Sequence, residues 1–426
     1  MKDIVTIGQT NWRNSNIPFG IKAKDRLQHM YVIGKTGVGK STLLLNILIQ
    51  DINYGRGIMV IDPHGDIAEN IIDAIPPNRL QDVLYIAPFD DSFTIAFNPL
   101  YNVPYESHHL AVSGIISAFK KAWAESWGPR MEHILRFSLF ALLAYNKGTL
   151  LDIQPLLTNE SFRTTVLSKV KDTSILNFWY GEFSKYTPAF RNEAIAPILN
   201  KLSIFAACKP LRQCIGHPTR SFSLYAAMNE QKIIVCNLSK GKLGEDASGL
   251  LGSLLITSIQ VAALQRASMP ENERVPFFLF IDEMQSFITL SFVDMLSEAR
   301  KYGLGLFLTH QFIEQIDNKI FAAIIGNVGT LISFRIGSTD AEVFAKEFYP
   351  VFTQTDFIDL PRYSIYLKLM IDGMSSKPFS AQTVLLHSQS MASKVRVLDY
   401  MKLTYPFVAI TNNKTAYRLG ATLFEN

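Results

Sequence analysis

The nine residues GKTGVGKST, Gly34 to Thr42, constrain this chain more than any other feature. Gly34–Ser41 fits GxxxxGK[ST] at every fixed position. The apolar run MYVIG before it predicts a strand, and TLLLNILIQ after it predicts a helix. A glycine-rich turn between strand and helix aims successive backbone N–H groups inward, and the helix N-terminus adds partial positive charge. Such a turn is a cradle for phosphates. Gly34, Gly37 and Gly39 allow the tight wrap, while Lys35, Thr36 and Val38 fill the variable positions. Lys40 is expected on the β- and γ-phosphates, the Ser41 hydroxyl on Mg²⁺, and Thr42 closes the cradle. ATP with Mg²⁺ is the expected ligand.

Apolar runs bounded by turns recur along most of the chain. They are MYVIG (30–34), GIMVID (57–62), VLYIAP (83–88), KIIVCNL (232–238), FFLFIDE (277–283), GLFLTH (305–310), GTLISFRI (329–336) and SIYLKLMID (364–372). Near-continuous apolarity suits strands buried on both faces. Helical stretches at 41–54, 247–266 and 294–302 separate several of them, which predicts an α/β fold with a mostly parallel sheet. Between Tyr105 and Leu224 the strand signal gives way to amphipathic helical patterns such as HHLAVSGIISAFKKAW and RMEHILRFSLFALLAY. The expected organisation is one α/β domain in two parts, 1–104 and 226–401, an inserted all-α domain at 105–225, and an irregular tail at 402–426.

With 426 residues the chain exceeds one simple core, in keeping with that division. Net charge is +4, too mild to demonstrate a polyanionic partner. Cys208, Cys214 and Cys236 form no CxxC pair and are odd in number, which argues for reduced cytosolic thiols and against a zinc site. The N-terminus carries no apolar signal-peptide core. Ala247–Gln265 has no charge and nearly the length of a membrane span, yet its serines, glutamines and glycines favour a buried helix of a soluble core. No intrinsic membrane span is expected.

FFLFIDEMQ ends an apolar strand on two acids, Asp282 and Glu283. A carboxylate at a buried strand end needs a cation or donors, so Asp282 is expected to hold Mg²⁺, directly or through water. Glu283 is expected to orient the attacking water and take its proton. GLFLTHQ brings Thr309, His310 and Gln311 to another strand edge, where Gln311 faces the γ-phosphate side and His310 reads as structural. IDPHGD fits two readings equally: Asp62 touching the Mg²⁺ water shell with His64 coupling nucleotide state to a partner, or an Asp-Pro-x-Gly turn without chemistry.

These strings resemble the HerA–FtsK superfamily of ring-forming DNA pumps, and among them the type IV secretion coupling proteins of conjugation, the TraD/TraG-like group. The likeness rests on HMYVIGKTGVGKSTLL, MVIDPHGD, AFNPL, SWGPRMEHILR, LFIDEMQSF, EARKYGLGLFLTHQF, NVGTLISFRIGSTDAE and DGMSSKPFSAQT, in order from His29 to Thr383. It implies a RecA-like P-loop fold, a homohexameric ring with ATP at subunit interfaces, DNA in a central channel, and translocation driven by hydrolysis. It also implies an arginine finger in trans: Arg300 matches by position, with Arg335 in reserve, while a helix-end cation explains Arg300 without chemistry. Membrane-bound coupling proteins carry transmembrane helices ahead of the motor, whereas 33 residues precede the loop here. The expectation is a soluble, cytoplasmic relative that either docks on other machinery, such as a secretion channel or a relaxase, or works without a membrane. Alternatives are a HerA-like motor acting with a nuclease in DNA end processing or defence, and a receptor for exported proteins. FKKAWAESWGPR (119–130) mixes cations with Trp123 and Trp127, as nucleic-acid surfaces do, and amphipathic packing accounts for it as well.

Overall fold

Strands whose every residue is apolar must be covered on both faces, and the centre of this fold is built that way. The computed structural model describes residues 3–405, apart from 12, 14, 91, 92, 94, 220 and 385–392. The strands are β1 (Ile4–Thr10), β2 (Pro18–Lys22), β3 (Met30–Ile33), β4 (Gly57–Asp62), β5 (Val83–Ile86), β6 (Ile233–Asn237), β7 (Phe277–Ile281), β8 (Leu304–His310), β9 (Thr330–Ser333), β10 (Ser364–Lys368), β11 (Met370–Ile371), β12 (Met374–Ser375) and β13 (Phe379–Thr383). Eleven of them form one sheet in the order β2-β1-β13-β10-β9-β3-β8-β7-β4-β6-β5, and β11 and β12 pair separately. From β9 to β6 neighbouring strands run parallel. Every residue of β3, β4, β6, β7, β8 and β9 is buried.

Beyond β9 the sheet continues antiparallel through β10, β13, β1 and β2. Of these only β10 is foreseen by apolar runs; β1, β2 and β13 mix polar with apolar residues and are held by pairing in succession outward from β10. The expected strand 364–372 is in fact two, broken at Leu369.

The helix Lys40–Asn53 buries Leu43, Leu44, Ile47, Leu48 and Ile52, and two polar residues, Gln50 and Asp51, fix its setting. Gln50 accepts from Thr6 N at 2.8 Å and donates to Thr6 O at 3.0 Å, beyond the stretch Gly8–Thr10 where β1 pairs with β13. Asp51 takes both guanidinium nitrogens of Arg26 at 2.7 Å, with neither side chain more than 1% exposed, and Arg56 adds a third bond at 2.8 Å. Arg26 also lies 3.9 Å from the centre of the Phe278 ring. A buried charge pair of this kind is costly to break at one partner.

The described chain forms two compact units. Met1–Tyr85, Tyr225–Ser239 and Ala262–Leu403 carry the sheet; Ile86–Leu224 and Lys240–Val261 form the other. Within the second unit, between β5 and β6, the chain is helical, with long helices His108–Ala122, Pro129–Tyr145 and Pro188–Ala207 around Phe119, Trp179 and Phe183. Gly114 allows the closest approach there: a Cβ would stand 1.9 Å from Thr257 Cγ2 on the helix Glu245–Gln265. Among the described residues, Glu245–Ser268 is the one unbent helix long and apolar enough to cross a membrane, and 78% of that window is buried in the fold.

The expected irregular tail from 402 needs correction at its start. Lys394–Thr404 is a helix that buries Val397 and Met401. Ser393 donates to Ile75 O at 2.8 Å, Lys394 pairs with Glu69, and Tyr85 N donates to Met401 Sδ at 3.4 Å. Those contacts come from distant segments, so local propensity gave no sign of them. The rest of the expected tail, 406–426, lies outside the described residues.

Candidate active site

In parallel β3, β8 and β7 all carboxyl ends reach the same sheet edge, so Gly34, Gln311 and Asp282 emerge side by side. The loop is suspended between its neighbours: Gly34 N donates to His310 O at 3.3 Å and Lys35 N to Arg335 O at 2.9 Å. Gly37 has φ +76° and Gly39 φ +124°, the left-handed region that side chains resist. Gly39 is also the N-cap of Lys40–Asn53 and offers no side-chain cap, so the first helical N–H groups remain for a ligand. Lys40 Nζ folds back onto Gly34 O at 2.6 Å and Lys35 O at 3.1 Å. Burial lowers its pKa, opposed by Glu283 and Asp282. Val38 is buried, whereas Ser41 is exposed and Thr42 half-buried at the helix start.

Asp282 follows β7 and is 3% exposed. Thr309 of β8 donates its hydroxyl to Oδ1 at 2.5 Å. Burial pushes the Asp282 carboxyl up to about 6; Asp62 and Glu283 add to the rise, and the Thr309 bond opposes it. A raised folded-state pKa means that ionising Asp282 costs stability as pH climbs from about 4 through about 6, and the whole cost is present above that. Asp282→Asn should therefore melt higher than the wild type at pH 7 in the absence of ligand, by up to about 3 kcal/mol. Thermal melts across pH are the check: the gap should close towards pH 4, and a gap independent of pH contradicts the assignment.

Glu283 has φ +48°, in the left-handed region, which is uncommon for a residue other than glycine. That turn carries its carboxylate towards β8. Oε1 accepts from Gln311 Nε2 at 2.8 Å, and Oε2 from Gln285 Nε2 at 2.6 Å. Gln311 Oε1 in turn accepts the Thr36 hydroxyl at 3.3 Å. A hydrogen-bonded chain thus runs from the phosphate loop through Gln311 to Glu283. Beside it a cleft of about 540 Å³ opens between Lys35, Thr36, Gln311 and Asp340. His310 is wholly buried, bonded through Nδ1 to the Tyr31 hydroxyl at 2.9 Å, and pushed down to about 4 chiefly by burial.

Asp62 uses both carboxylate oxygens locally, accepting from His64 N at 2.8 Å and Ala68 N at 2.9 Å. Of its two expected readings, the geometry favours the turn. His64 is exposed. The two candidate arginines separate. Arg335 is exposed beside its own chain's loop, since its carbonyl holds Lys35 N. Arg300 lies in the turn Ala299–Tyr302, four residues before β8, at the edge where the parallel strands begin. His310 is level with Ile33, so the length of β8, about 20 Å, separates Arg300 from its own loop. The Arg300 side chain is exposed and makes no hydrogen bond or ion pair among the described residues. Its turn is nevertheless fixed. Arg266 donates to Tyr302 O at 3.1 Å, Arg274 to Lys301 O at 2.6 Å, and His29 Nε2 to Leu296 O at 3.1 Å while His29 Nδ1 accepts from Leu306 N.

In the helical unit, Trp127 donates to Glu132 at 2.8 Å, and Trp123 packs on Phe119 with 4.7 Å between ring centres. Trp123 thus packs within the unit, and Trp127 is tied to the helix Pro129–Tyr145 by its ring N–H. Sequence reading missed the hydroxyl of Thr309 as the link between β8 and the acid-bearing end of β7, although it had set Thr309 at the strand end. It also missed Tyr363, whose N donates to Val38 O in the phosphate loop at 2.9 Å.

The sheet order and the glycine loop leading into an uncapped helix define a RecA-like P-loop fold. Solved structures share it. The bacterial conjugative coupling protein TrwB, unbound, matches at TM-score 0.62 and 17% identity over 88% of this chain and 90% of that one. TrwB in complex with ADP and Mg²⁺ matches at TM-score 0.64 and 16% identity over 90% of each chain. VirB4 of Thermoanaerobacter pseudethanolicus matches at 0.61 and 12%, over 90% of this chain and 96% of that one. No curated protein sequence matches significantly. The family model for the type IV secretion-system coupling protein DNA-binding domain matches residues 13–348, and the chain belongs to that family.

Proposed function

We propose that the chain is an ATP-hydrolysing motor that draws DNA, or a nucleoprotein, through a ring of identical subunits on the cytoplasmic side of a secretion channel. The observation that carries the reading is the chain Thr36–Gln311–Glu283, which ties the phosphate loop to a carboxylate able to take a proton from water. Support comes also from the family, described as a DNA-binding domain of coupling proteins, and from TrwB, whose solved complexes include ADP with Mg²⁺ and a non-hydrolysable ATP analogue.

The residues fit a nucleotide with Mg²⁺. Lys40 Nζ has only carbonyl hydrogen-bond partners, and Asp282 is a buried carboxylate with no ion pair among the described residues. Among the described residues no cluster of three His, Cys, Asp or Glu forms a metal cage. Mg²⁺ needs none, because one or two carboxylates and the substrate's phosphates suffice. Ser41 and Asp282 would hold it, and it would neutralise charge developing on the phosphates. Lys40 exchanges its carbonyl bonds for the β/γ-phosphates, Gln311 orients the attacking water, and Glu283 accepts its proton. Arg300 completes the site of the next subunit.

The test is the ATPase rate against single-stranded DNA, double-stranded DNA and no DNA across a salt series. DNA should raise the rate severalfold, with the stimulation falling steeply as salt releases the phosphate contacts. A rate indifferent to DNA removes the translocation reading and leaves a protein receptor.

A further inference from the structure

The order of strands sets a direction along the phosphate loop. β8 and β7, with Gln311 and Glu283, lie on one side of β3; β9 and β10 lie on the other. Because β10 is antiparallel to β9, with Tyr366 opposite Ser333, its first residues stand at the same edge as the loop. Tyr363, immediately before β10, is pressed against that loop. A Cβ on Gly39 would stand 2.8 Å from its ring, and its N–H holds Val38 O. The residue has φ +65°, a left-handed conformation that its bulk resists, so the surroundings impose its place. Over its ring lies the Arg362 guanidinium, 4.7 Å from the centroid. Arg362 is exposed, and neither side chain forms a hydrogen bond or ion pair among the described residues.

A nucleotide laid in this loop has its terminal phosphate at the Gln311–Glu283 end. Its sugar and base then leave past Gly39, on the Tyr363 side. We infer that Arg362 and Tyr363 form a stacking platform for the nucleobase, with the guanidinium plane as the outer layer. This rests on the nucleotide reading above and adds the place of the base to it. A guanidinium supported on a ring offers a flat cationic face that any base can cover. Nothing on that face reads hydrogen-bond donors or acceptors, so adenine and guanine should bind alike.

The test compares Mg²⁺–ATP with Mg²⁺–tripolyphosphate, which has the phosphates and no base, by calorimetry on the full chain. Arg362→Ala and Tyr363→Ala should each weaken ATP about tenfold and leave tripolyphosphate unchanged. Tyr363→Phe should behave as the wild type, and GTP should follow ATP. If the alanine variants weaken both ligands equally, Tyr363 merely props the loop and the inference falls. Unchanged ATP affinity overturns it as well. Arg362, being exposed, keeps the experiment decisive should Tyr363→Ala fail to fold. A wild-type chain that binds neither ligand overturns the nucleotide reading itself and the platform with it.

Discussion

Glu283→Gln should bind ATP as the wild type does and hydrolyse almost none of it. The side chain holds the same shape, so the amide can keep a bond to Gln311 within the Thr36–Gln311–Glu283 chain. What it loses is the ability to accept a proton at neutral pH. Proton transfer by a positioned group contributes roughly 10²–10⁴ in rate, so phosphate release should drop by at least about a hundredfold. Nucleotide retained through gel filtration, set against phosphate release, separates the two steps. A variant that no longer binds ATP would show that Glu283 supports the loop and takes no proton.

Arg300→Ala should have an effect as large by another route. The turn that bears Arg300 is anchored by Arg266, Arg274 and His29, none of which bonds the Arg300 side chain, so folding and ATP binding should survive. With about 20 Å of sheet between Arg300 and its own loop, any action on phosphate must fall on a neighbouring subunit. Such fingers contribute about 10³–10⁵ in rate. Mixing Arg300→Ala with Lys40→Ala subunits should restore part of the activity, because some interfaces then pair an intact loop with an intact arginine. A mixture that co-assembles and stays inactive argues against action in trans. A large drop in melting temperature for Arg300→Ala alone points instead to a helix-end cation holding the fold.

The phosphate loop and eight of the strands were legible because their signals are local: a fixed spacing of glycines, and apolar runs that need no partner to be recognised. The strands β1, β2 and β13 were not, since IVTIGQT, PFGIK and FSAQT become strands only beside β10 and one another. The helix Lys394–Thr404 depends likewise on Ile75, Glu69 and Tyr85. At the site, residue types and strand ends could be read, whereas torsions and reach could not. The positive φ of Glu283, the Thr309 hydroxyl on Asp282 and the two oxygens of Asp62 spent on backbone amides are facts of geometry. Arg300 and Arg335 look interchangeable as cations on a line of text; strand direction puts them at opposite edges.

The strand that carries the phosphate loop has its sheet neighbours, β8 and β9, far along the chain. Tyr31 and His310, joined by a hydrogen bond, are 279 residues apart. At the usual pace of synthesis, about 5–20 residues per second, β3 leaves the ribosome roughly 15 to 55 seconds before β8 exists to receive it. Throughout that interval an entirely apolar strand has no native neighbour on that side, a condition that favours aggregation. The cradle is made long before the strands that flank β3, so nucleotide cannot act as an early template for the fold.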